Sequence, residues 1–167
     1  QHPAAERRRQ QVLAAYGLDD HAPEQAFDDI VRLAVITCEV PGAAVTVIDR
    51  TRQWFKAQVG LGVSDLPRGE SPCEQTIAQR GVLEIDDFSD QTVQPDLRVH
   101  GAPVRFYAGV PLLSADDHVL GTLCVFDTRA RGLSIVQREA LELLGRQTQH
   151  LLELRRHVID QRRELVE

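Results

Sequence analysis

The sequence contains no methionine, although an intact polypeptide normally begins with one, and its first residue is Gln1. We therefore expect a segment of a longer protein, with an effector domain in the missing part. Every apolar run falls short of the roughly 18 residues expected of a membrane-spanning helix, and no charged start precedes an apolar signal core. These absences predict a cytoplasmic segment that does not enter the membrane.

Cysteine and lysine are both scarce. Three cysteines, an odd number, predict reduced thiols in a reducing compartment and not a disulfide framework. Lys56 is the only lysine, and the net charge of −6 argues against a nucleic-acid partner, because phosphate contacts need clustered cations. The histidines have no cysteine or histidine at zinc-like spacing, so the sequence predicts no metal site.

The segment 105–127 has the pattern of a β-hairpin, in which two apolar runs flank a polar break at 114–118. Both runs are apolar at nearly every position, which is typical of central strands covered on both faces. Gly109 and Gly121 lie inside the runs, where a missing side chain lets a ligand or another backbone approach closely. Pro111 cannot donate a ladder hydrogen bond and predicts a bulge or an unpaired position.

The residues before this hairpin predict two helices and a further hairpin. The first helix covers 4–16, and the second begins near Pro23 and has one apolar face. Strands follow at 43–48 and 52–59, joined by a short turn. Because successive side chains of a strand point to opposite faces, Trp54 and Phe55 should face the interior and a helix or pocket wall, in an order that the sequence leaves open.

A short helix, a third strand and a long loop are expected between the two hairpins. Ser71 and Pro72 suit the start of the short helix, and the strand covers 82–85. The segment 88–104 has no clear periodicity and contains two prolines. A loop of this length inside a compact domain is usually a lid or a binding loop, so we expect it to be mobile.

The last helix is expected to run from a cap at Ser134 to Glu167 and to carry an apolar stripe. Its apolar residues recur every seven positions at Leu144, Leu151, Val158 and Leu165, and Leu154 occupies the second apolar position of the seven-residue repeat. Packing on its own domain accounts for the stripe up to about Leu152. Beyond that point the repeat predicts a parallel, coiled-coil-like linker and therefore a homodimer.

Five motifs in this order resemble the GAF domains of bacterial signalling proteins, of the histidine kinase or diguanylate cyclase type. They are AFDDIVRLA, VTVIDRTRQWFKAQVGL, the SPC start of the short helix, RFYAGVPL and LGTLCVFDT. The resemblance implies an α+β, PAS-related fold, with an antiparallel sheet of five or six strands and both terminal helices packed on one face. On the other face, the short helix and the long loop would cover a small-molecule pocket.

By position, the resemblance also implies a set of pocket residues. These candidates are Trp54 or Phe55, Cys73, Thr76, Ile77, Asp86, Phe106, Tyr107 and Thr122. Any of them could instead simply pack the core. The pair Asp86–Asp87 offers carboxylates that could accept hydrogen bonds from a ligand.

The chemistry known for other GAF domains finds little support in these residues. The chain has no asparagine and so lacks the signature of the members that bind cyclic nucleotides. Cys73 is followed by Glu74 and not by the histidine often found beside a bilin-binding cysteine, and His100 is the only candidate for a haem ligand. No cofactor is expected.

The resemblance leaves three functions open. The leading prediction is a non-enzymatic sensory and dimerisation domain at 1–152, which binds an unknown small molecule and passes a change through the linker 153–167 to the effector. The second is a free methionine sulfoxide reductase, but the approach to the hairpin at 100–109 has no cysteine to serve as the nucleophile. The third is a structural dimerisation module without a ligand.

Overall fold

A computed structural model describes most of the chain. The described residues are 3–18, 22–49, 52–67, 76, 81–88 and 97–166. Three long helices are α1 (Pro3–Ala15), α2 (Gln25–Cys38) and α3 (Ile135–Val166). The strands are β1 (Gly42–Ile48), β2 (Arg52–Val59), β3 (Asp65–Pro67), β4 (Leu83–Ile85), β5 (Arg98–Val99), β6 (Ala102–Pro103), β7 (Phe106–Leu113) and β8 (Val119–Asp127).

Six of these strands form one antiparallel sheet in the order β3-β2-β1-β8-β7-β4. The α+β, GAF-like arrangement predicted from the sequence is confirmed, with helices at both ends of the chain packed on one face of a six-stranded sheet. We call this side the helix face and the opposite side the pocket face, after the pocket that the resemblance predicts there. In the described part of the chain, no helix is both long and apolar enough to cross a membrane.

The predicted hairpin at 105–127 is β7 and β8, and every residue of β8 is buried. Its glycines behave as expected. A side chain at Gly121 would overlap the backbone of Thr46 on β1, so glycine is needed for the two strands to approach. Pro111 itself pairs with Thr122, so the predicted irregularity does not fall at the proline; the β7–β8 register shifts farther along, between Leu112 and Leu113.

The β1–β2 hairpin contains a bulge. Val45 pairs with Ala57 and Thr46 pairs with Phe55, so Lys56 is an additional residue on β2 with no partner position on β1. Bulges locally re-aim side chains, and here the Lys56 ammonium lies against the N-terminal end of α2 on the helix face. This residue becomes important below.

The helix face is covered mainly by α2 and α3. The apolar side of α2 packs on the sheet together with Leu141 and Leu152 of α3. Glu39 ends α2 with a left-handed backbone, φ 53°. The Arg131 guanidinium donates to the carbonyls of Cys38 at 3.0 Å and Glu39 at 2.7 Å, and so satisfies the open end of the helix.

α3 begins with the predicted cap at Ser134. The Ser134 hydroxyl accepts from the Gln137 amide at 3.1 Å, and the Gln137 side chain accepts from the Ser134 amide at 3.0 Å. This reciprocal pair is a capping box, which satisfies two backbone donors that helix hydrogen bonds leave open. The helix then continues without interruption from Ile135 to Val166, past the last fully buried residue, Leu152.

The pocket face carries a second apolar cluster, and part of the predicted mobile loop belongs to it. Strands β5 and β6 form a small hairpin that buries Leu97, Val99 and Val104. The segment 97–104, which shows no clear periodicity in the sequence, therefore does have an apolar side. The remainder of that loop, 89–96, lies outside the described residues, as does the predicted short helix apart from Thr76, which is helical.

Candidate functional site

The sheet separates the predicted pocket residues into two groups. Trp54 is buried in the cluster on the helix face, whereas Phe55 packs against the cluster on the pocket face. The choice that the sequence left open is thereby resolved in favour of Phe55. Trp54 is an ordinary core residue beneath the helices and cannot line a pocket on the other side.

Phe106 is likewise on the helix face, so its prediction as a pocket residue is wrong. Its ring lies 5.6 Å from the guanidinium carbon of Arg131, the residue that caps α2. The next residue along β7, Tyr107, points to the pocket face, since neighbouring side chains of a strand alternate. Of the two aromatic residues of this motif, only Tyr107 therefore lies on the predicted side of the sheet.

Tyr107 forms the polar centre of the pocket face. Its hydroxyl lies 2.7 Å from the Thr76 hydroxyl, and its ring centroid lies 5.5 Å from that of Phe126. A Cβ atom at Gly109 would overlap the tyrosine hydroxyl, so the glycine predicted to allow close approach lets this side chain fold along its own strand. Two of the predicted residues, Thr76 and Tyr107, are thus in direct contact.

A second buried hydroxyl pair lies between β1 and β8. The Thr46 and Thr122 hydroxyl oxygens are 2.5 Å apart, and the Thr122 amide donates to the Thr46 hydroxyl at 3.2 Å. The Cys124 thiol, on the same face of β8, donates to the Ala44 carbonyl at 3.5 Å. Thr122 was predicted, whereas Thr46 was missed because its position opposite Thr122 depends on a strand register that the sequence does not state.

Gln53 is the other polar residue that the sequence analysis missed. It is buried two positions before Phe55 on β2, and its side-chain oxygen has no hydrogen-bond partner among the described residues. An amide oxygen buried without a donor is costly, so such a group is a natural acceptor for a ligand. If Phe55 is assigned to the pocket face, the alternation of side chains along β2 places Gln53 on the same face.

The remaining pocket candidates do not add to this group. Asp86 is exposed, its carboxylate lies near Gly132, and its carbonyl accepts from the Arg131 amide at 3.1 Å. Asp86, directly after β4, thus contacts the connection between β8 and α3, so its prediction as a pocket acceptor is wrong. Asp87 is paired with Arg105 at 2.8 Å. Cys73 and Ile77 lie outside the described residues.

The stripe predicted on α3 divides at Leu152. Leu144 and Leu151 are partly buried against the helix-face core of their own domain. Farther along, Leu154, Val158 and Leu165 are 61%, 39% and 88% exposed. These three leave apolar surface exposed beyond Leu152, as does Val166, and their pairing with a partner stays a prediction.

Polar contacts nevertheless hold α3 to the domain beyond Leu152. The Tyr16 hydroxyl at the end of α1 donates to the Glu153 carboxylate, and the same carboxylate accepts from the Ala115 amide at 2.9 Å. Burial, followed by the bond to Glu153, raises the pKa of Tyr16 above its ordinary value of 10.0. A side chain at Gly17 would overlap Ile159, so contacts continue past the predicted boundary at 152.

A groove of about 540 Å³ lies where α3 leaves the domain. Its walls come from α3 and from the start of α2, with Phe27, Leu151 and Leu154 among the apolar lining and Arg155 and Arg162 among the charged lining. It is on the helix side, away from Tyr107 and Thr122. The two surfaces therefore have distinct positions: a buried polar group on the pocket face, and an open groove beside the emerging helix.

Among the described residues, neither surface shows catalytic machinery. The described residues hold no cluster of three or more histidine, cysteine or acidic side chains able to bind a metal ion. Burial raises the pKa of the Cys38 thiol to about 11, which disfavours the nucleophilic thiolate. Cys38 also lies on the helix face. What the pocket-face group can do chemically is donate and accept hydrogen bonds in a water-poor environment.

Comparison with known proteins assigns the family. The GAF domain family matches residues 22–153, most of the chain. A cyclic di-GMP phosphodiesterase of Pseudomonas aeruginosa is 37% identical over 136 residues, which is 78% of this chain but only 23% of that protein. The chain therefore spans about a quarter of the length of the curated relative it matches.

Solved structures agree on the fold. The GAF domain of a phosphoenolpyruvate-protein phosphotransferase from Acinetobacter has a TM-score of 0.66 at 16% identity, covering 94% of this chain and 96% of that one. The free methionine-R-sulfoxide reductase of Neisseria meningitidis, in complex with its substrate, also has a TM-score of 0.66 at 17% identity, covering 92% and 89%. Taken with the family match, these observations show that the chain belongs to the GAF domain family.

Proposed function

We propose that the chain is a non-enzymatic, cytoplasmic sensory domain that binds a small molecule on the pocket face and signals through α3. The observation that carries this proposal is the polar group buried in an otherwise apolar layer: the Thr76–Tyr107 and Thr46–Thr122 hydroxyl pairs with Gln53. A purely structural core gains little from such groups, because buried polar atoms cost free energy unless fully bonded.

The composition of this group suggests what the ligand carries. The described residues of the group are uncharged, and Gln53 supplies an acceptor oxygen without a donor. A ligand with a hydroxyl or N–H donor would satisfy that oxygen. The surrounding cluster, which includes Phe55, Val119 and Phe126, would contact its apolar part. We therefore favour a small, largely uncharged molecule with at least one donor.

The effector is proposed from the relative. The P. aeruginosa protein is a cyclic di-GMP phosphodiesterase, and this chain matches only a part of it. We propose that this domain likewise belongs to a longer polypeptide, and that its effector acts on cyclic di-GMP. The reading frame beyond Glu167 tests this directly: a domain for cyclic di-GMP synthesis or hydrolysis supports it, and an unrelated domain contradicts it.

Homodimerisation through α3 is the second part of the proposal. Leu154, Val158 and Leu165 extend the seven-residue stripe beyond the part that the domain buries. Pairing of two parallel α3 helices would cover them and would deliver both chains to a common effector. Arg155 and Arg162 flank this seam, so we expect modest affinity in the isolated segment.

Ligand-dependent melting tests the sensory proposal. A panel of uncharged metabolites with hydroxyl or N–H donors is screened for compounds that raise the melting temperature, as binding to the folded state must. Thr122→Val should abolish the shift. Thr128→Val, at a half-buried position just beyond β8, should leave it unchanged. A shift that survives Thr122→Val contradicts the proposed site, and a panel without any shift favours the structural dimerisation module.

The reductase alternative is tested separately, because the fold is shared with an enzyme of that class. No cysteine occurs between residues 100 and 109, so we expect no turnover of free methionine sulfoxide when thioredoxin is supplied. Turnover that disappears in Cys73→Ser would establish the enzyme and refute the non-enzymatic proposal.

A further inference from the structure

Lys56, the only lysine of the chain, occupies an unusual position. Its side chain is fully buried. The ammonium donates to the Ala22 carbonyl at 2.6 Å, lies 2.5 Å from the Glu24 carboxylate, and lies 6.0 Å from the centre of the Phe27 ring. Because Lys56 is the bulge residue of β2, these contacts join the sheet to the beginning of α2.

Glu24 is shared with a second cation. Its carboxylate also accepts from the Arg155 guanidinium, which comes from α3 three residues after Leu152. Arg155 in turn donates to the carbonyls of Tyr16 and Gly17, both at 2.9 Å, at the end of α1. An unbroken chain of charged contacts therefore runs from strand β2 through α2 to the part of α3 that extends past the core.

We propose that Lys56, Glu24 and Arg155 form a relay that couples the position of strand β2 to the docking of α3 beyond Leu152. In one state Glu24 holds Arg155, and residues 153–166 are fixed against α1 and α2. In the other state Glu24 has moved with Lys56, Arg155 has lost this ion pair, and this part of α3 is held less firmly and can re-pack. The relay supplies a route for the proposed signal, but it exists whether or not a ligand binds.

The unequal burial of the three side chains gives the relay its direction. The Lys56 side chain is 0% exposed, whereas Glu24 is 37% and Arg155 16% exposed. A buried ammonium that loses its counterion is strongly unfavourable. When β2 shifts, Glu24 therefore follows Lys56. The ion pair between Glu24 and Arg155 is the one that breaks, because both side chains already reach solvent and water can hydrate their charges.

The bulge connects this relay to the pocket face. Phe55, directly before Lys56, packs on the pocket face and pairs with Thr46, whose hydroxyl contacts Thr122. A molecule that shifts the backbone at Phe55 also shifts that of Lys56, because the two residues are adjacent. Interactions on one face of the sheet can thus change the ion pairs on the other face without unfolding of the strand.

Hydrogen exchange measured by mass spectrometry tests the relay in the ligand-free chain. Lys56→Met removes the ammonium and keeps an unbranched side chain. We expect several-fold faster exchange in residues 153–166, because Glu24 is no longer held at the sheet, with no change in residues 141–152. Arg52 is on the same strand as Lys56 and forms an exposed ion pair with Asp65 of β3. Arg52→Met removes that pair and should leave hydrogen exchange in α3 unchanged.

A mutant cycle distinguishes a relay from separate local effects. If Lys56 acts through Glu24 on Arg155, then Lys56→Met has little further effect on residues 153–166 in an Arg155→Met background. Should Lys56→Met not fold, Glu24→Gln at its partly exposed position takes its place in the same cycle. Unchanged or slower exchange in Lys56→Met would overturn the relay. It would also be overturned if the factors by which the two substitutions change the exchange rate simply multiplied in the double variant. Neither outcome would bear on ligand binding at Thr122.

Discussion

The two halves of α3 show how one continuous helix can be held by two kinds of force. Up to Leu152 the helix packs through side chains that the domain buries, with Leu141, Gly145 and Thr148 inserted against the sheet. After Leu152 the contacts are mostly polar, and Leu154, Val158 and Leu165 are exposed, whereas Ile159 still lies against Gly17. The first half is fixed by the hydrophobic effect, and the second by ion pairs and hydrogen bonds that water can replace.

This difference matters for the signalling that we propose. A helix buried along its whole length would move only with the domain, and a helix exposed along its whole length would carry no information about the domain. A buried anchor followed by a polar attachment allows the second half to change partners at modest cost while the first half stays in place.

Loss of a side chain from the anchored half should have the largest effect. Leu141 is completely buried between α3 and the sheet, so Leu141→Ala removes apolar contacts and leaves a cavity. We expect the free energy of unfolding to fall by about 2–5 kcal/mol in a denaturant titration. Leu143→Ala, two residues along on an exposed side, should change it by less than about 0.5 kcal/mol. Equal effects would contradict the assignment of the buried face.

The second half should instead control association. Val158→Asp combined with Leu165→Asp places charges in the exposed stripe, and each side chain that a dimer buries contributes roughly 1.5–3 kcal/mol. We expect the double variant to be monomeric in sedimentation experiments under conditions where the parent dimerises. Leu151 is unsuitable for this test, because it packs on its own domain.

His157→Asp serves as the matched control for charge on the same half of the helix. His157 is exposed one position from the stripe, about 100° around the helix from Val158. Dimerisation should survive this change. A parent that is already monomeric at the highest attainable concentration, or a double variant that associates as tightly as the parent, would refute pairing through α3.

The same contrast explains what the sequence could and could not predict. Strand β2 was predicted with its observed bounds, because 52–59 lies between clear turn signals. The β7–β8 hairpin was predicted because its two apolar runs are long and their break is polar. The exposure of Leu154, Val158 and Leu165 was predicted from the length of the stripe alone. These features depend on local pattern.

Features that depend on which side chains meet across the fold were harder to predict. Strands buried on both faces have no polar side, so nothing in the sequence distinguished the orientation of Phe106 from that of Tyr107. The strands β5 and β6 contain two residues each, too few for any periodicity. The contacts of Glu153 and Arg155 depend on where α1 ends in space. The division of the chain at residue 152 remains a prediction.

Substitution of Tyr16 should have an intermediate effect, because its ring is buried in the core and its hydroxyl holds the second half of α3. Tyr16→Phe keeps the buried ring but removes the hydroxyl that donates to Glu153, and we expect a loss of about 1.5 kcal/mol near neutral pH. The raised pKa of Tyr16 means that the folded state favours the protonated phenol. Its contribution is therefore complete below pH 10 and is lost as the pH rises through the higher folded-state value.

Denaturant titrations at neutral and strongly alkaline pH check both parts. The parent should lose more stability at alkaline pH than Tyr16→Phe does. Tyr107→Phe, which alters the only other tyrosine, should retain the alkaline loss that Tyr16 causes. If Tyr16→Phe and the parent respond identically to alkaline pH, the bond to Glu153 does not operate in solution.

The smallest effect is expected where α3 meets the turn between β7 and β8. The Arg156 guanidinium lies 3.8 Å from Asp116 and 5.2 Å from the centre of the Tyr16 ring, and both ends of the ion pair reach solvent. Such pairs contribute little, because water and salt screen them and their side chains lose conformational freedom. Asp116→Asn should therefore cost less than about 1 kcal/mol. The cost should appear as slightly faster hydrogen exchange in residues 153–166 at low salt, and it should vanish at high salt.

Asp117→Asn removes an equal charge from the same turn, and asparagine tolerates the positive φ of 69° at that position, so it isolates the Arg156 pair from general charge effects. A large loss in Asp116→Asn, or a loss insensitive to salt, would mean that the second half of α3 is anchored as firmly as the first, and the contrast between the two halves would not hold.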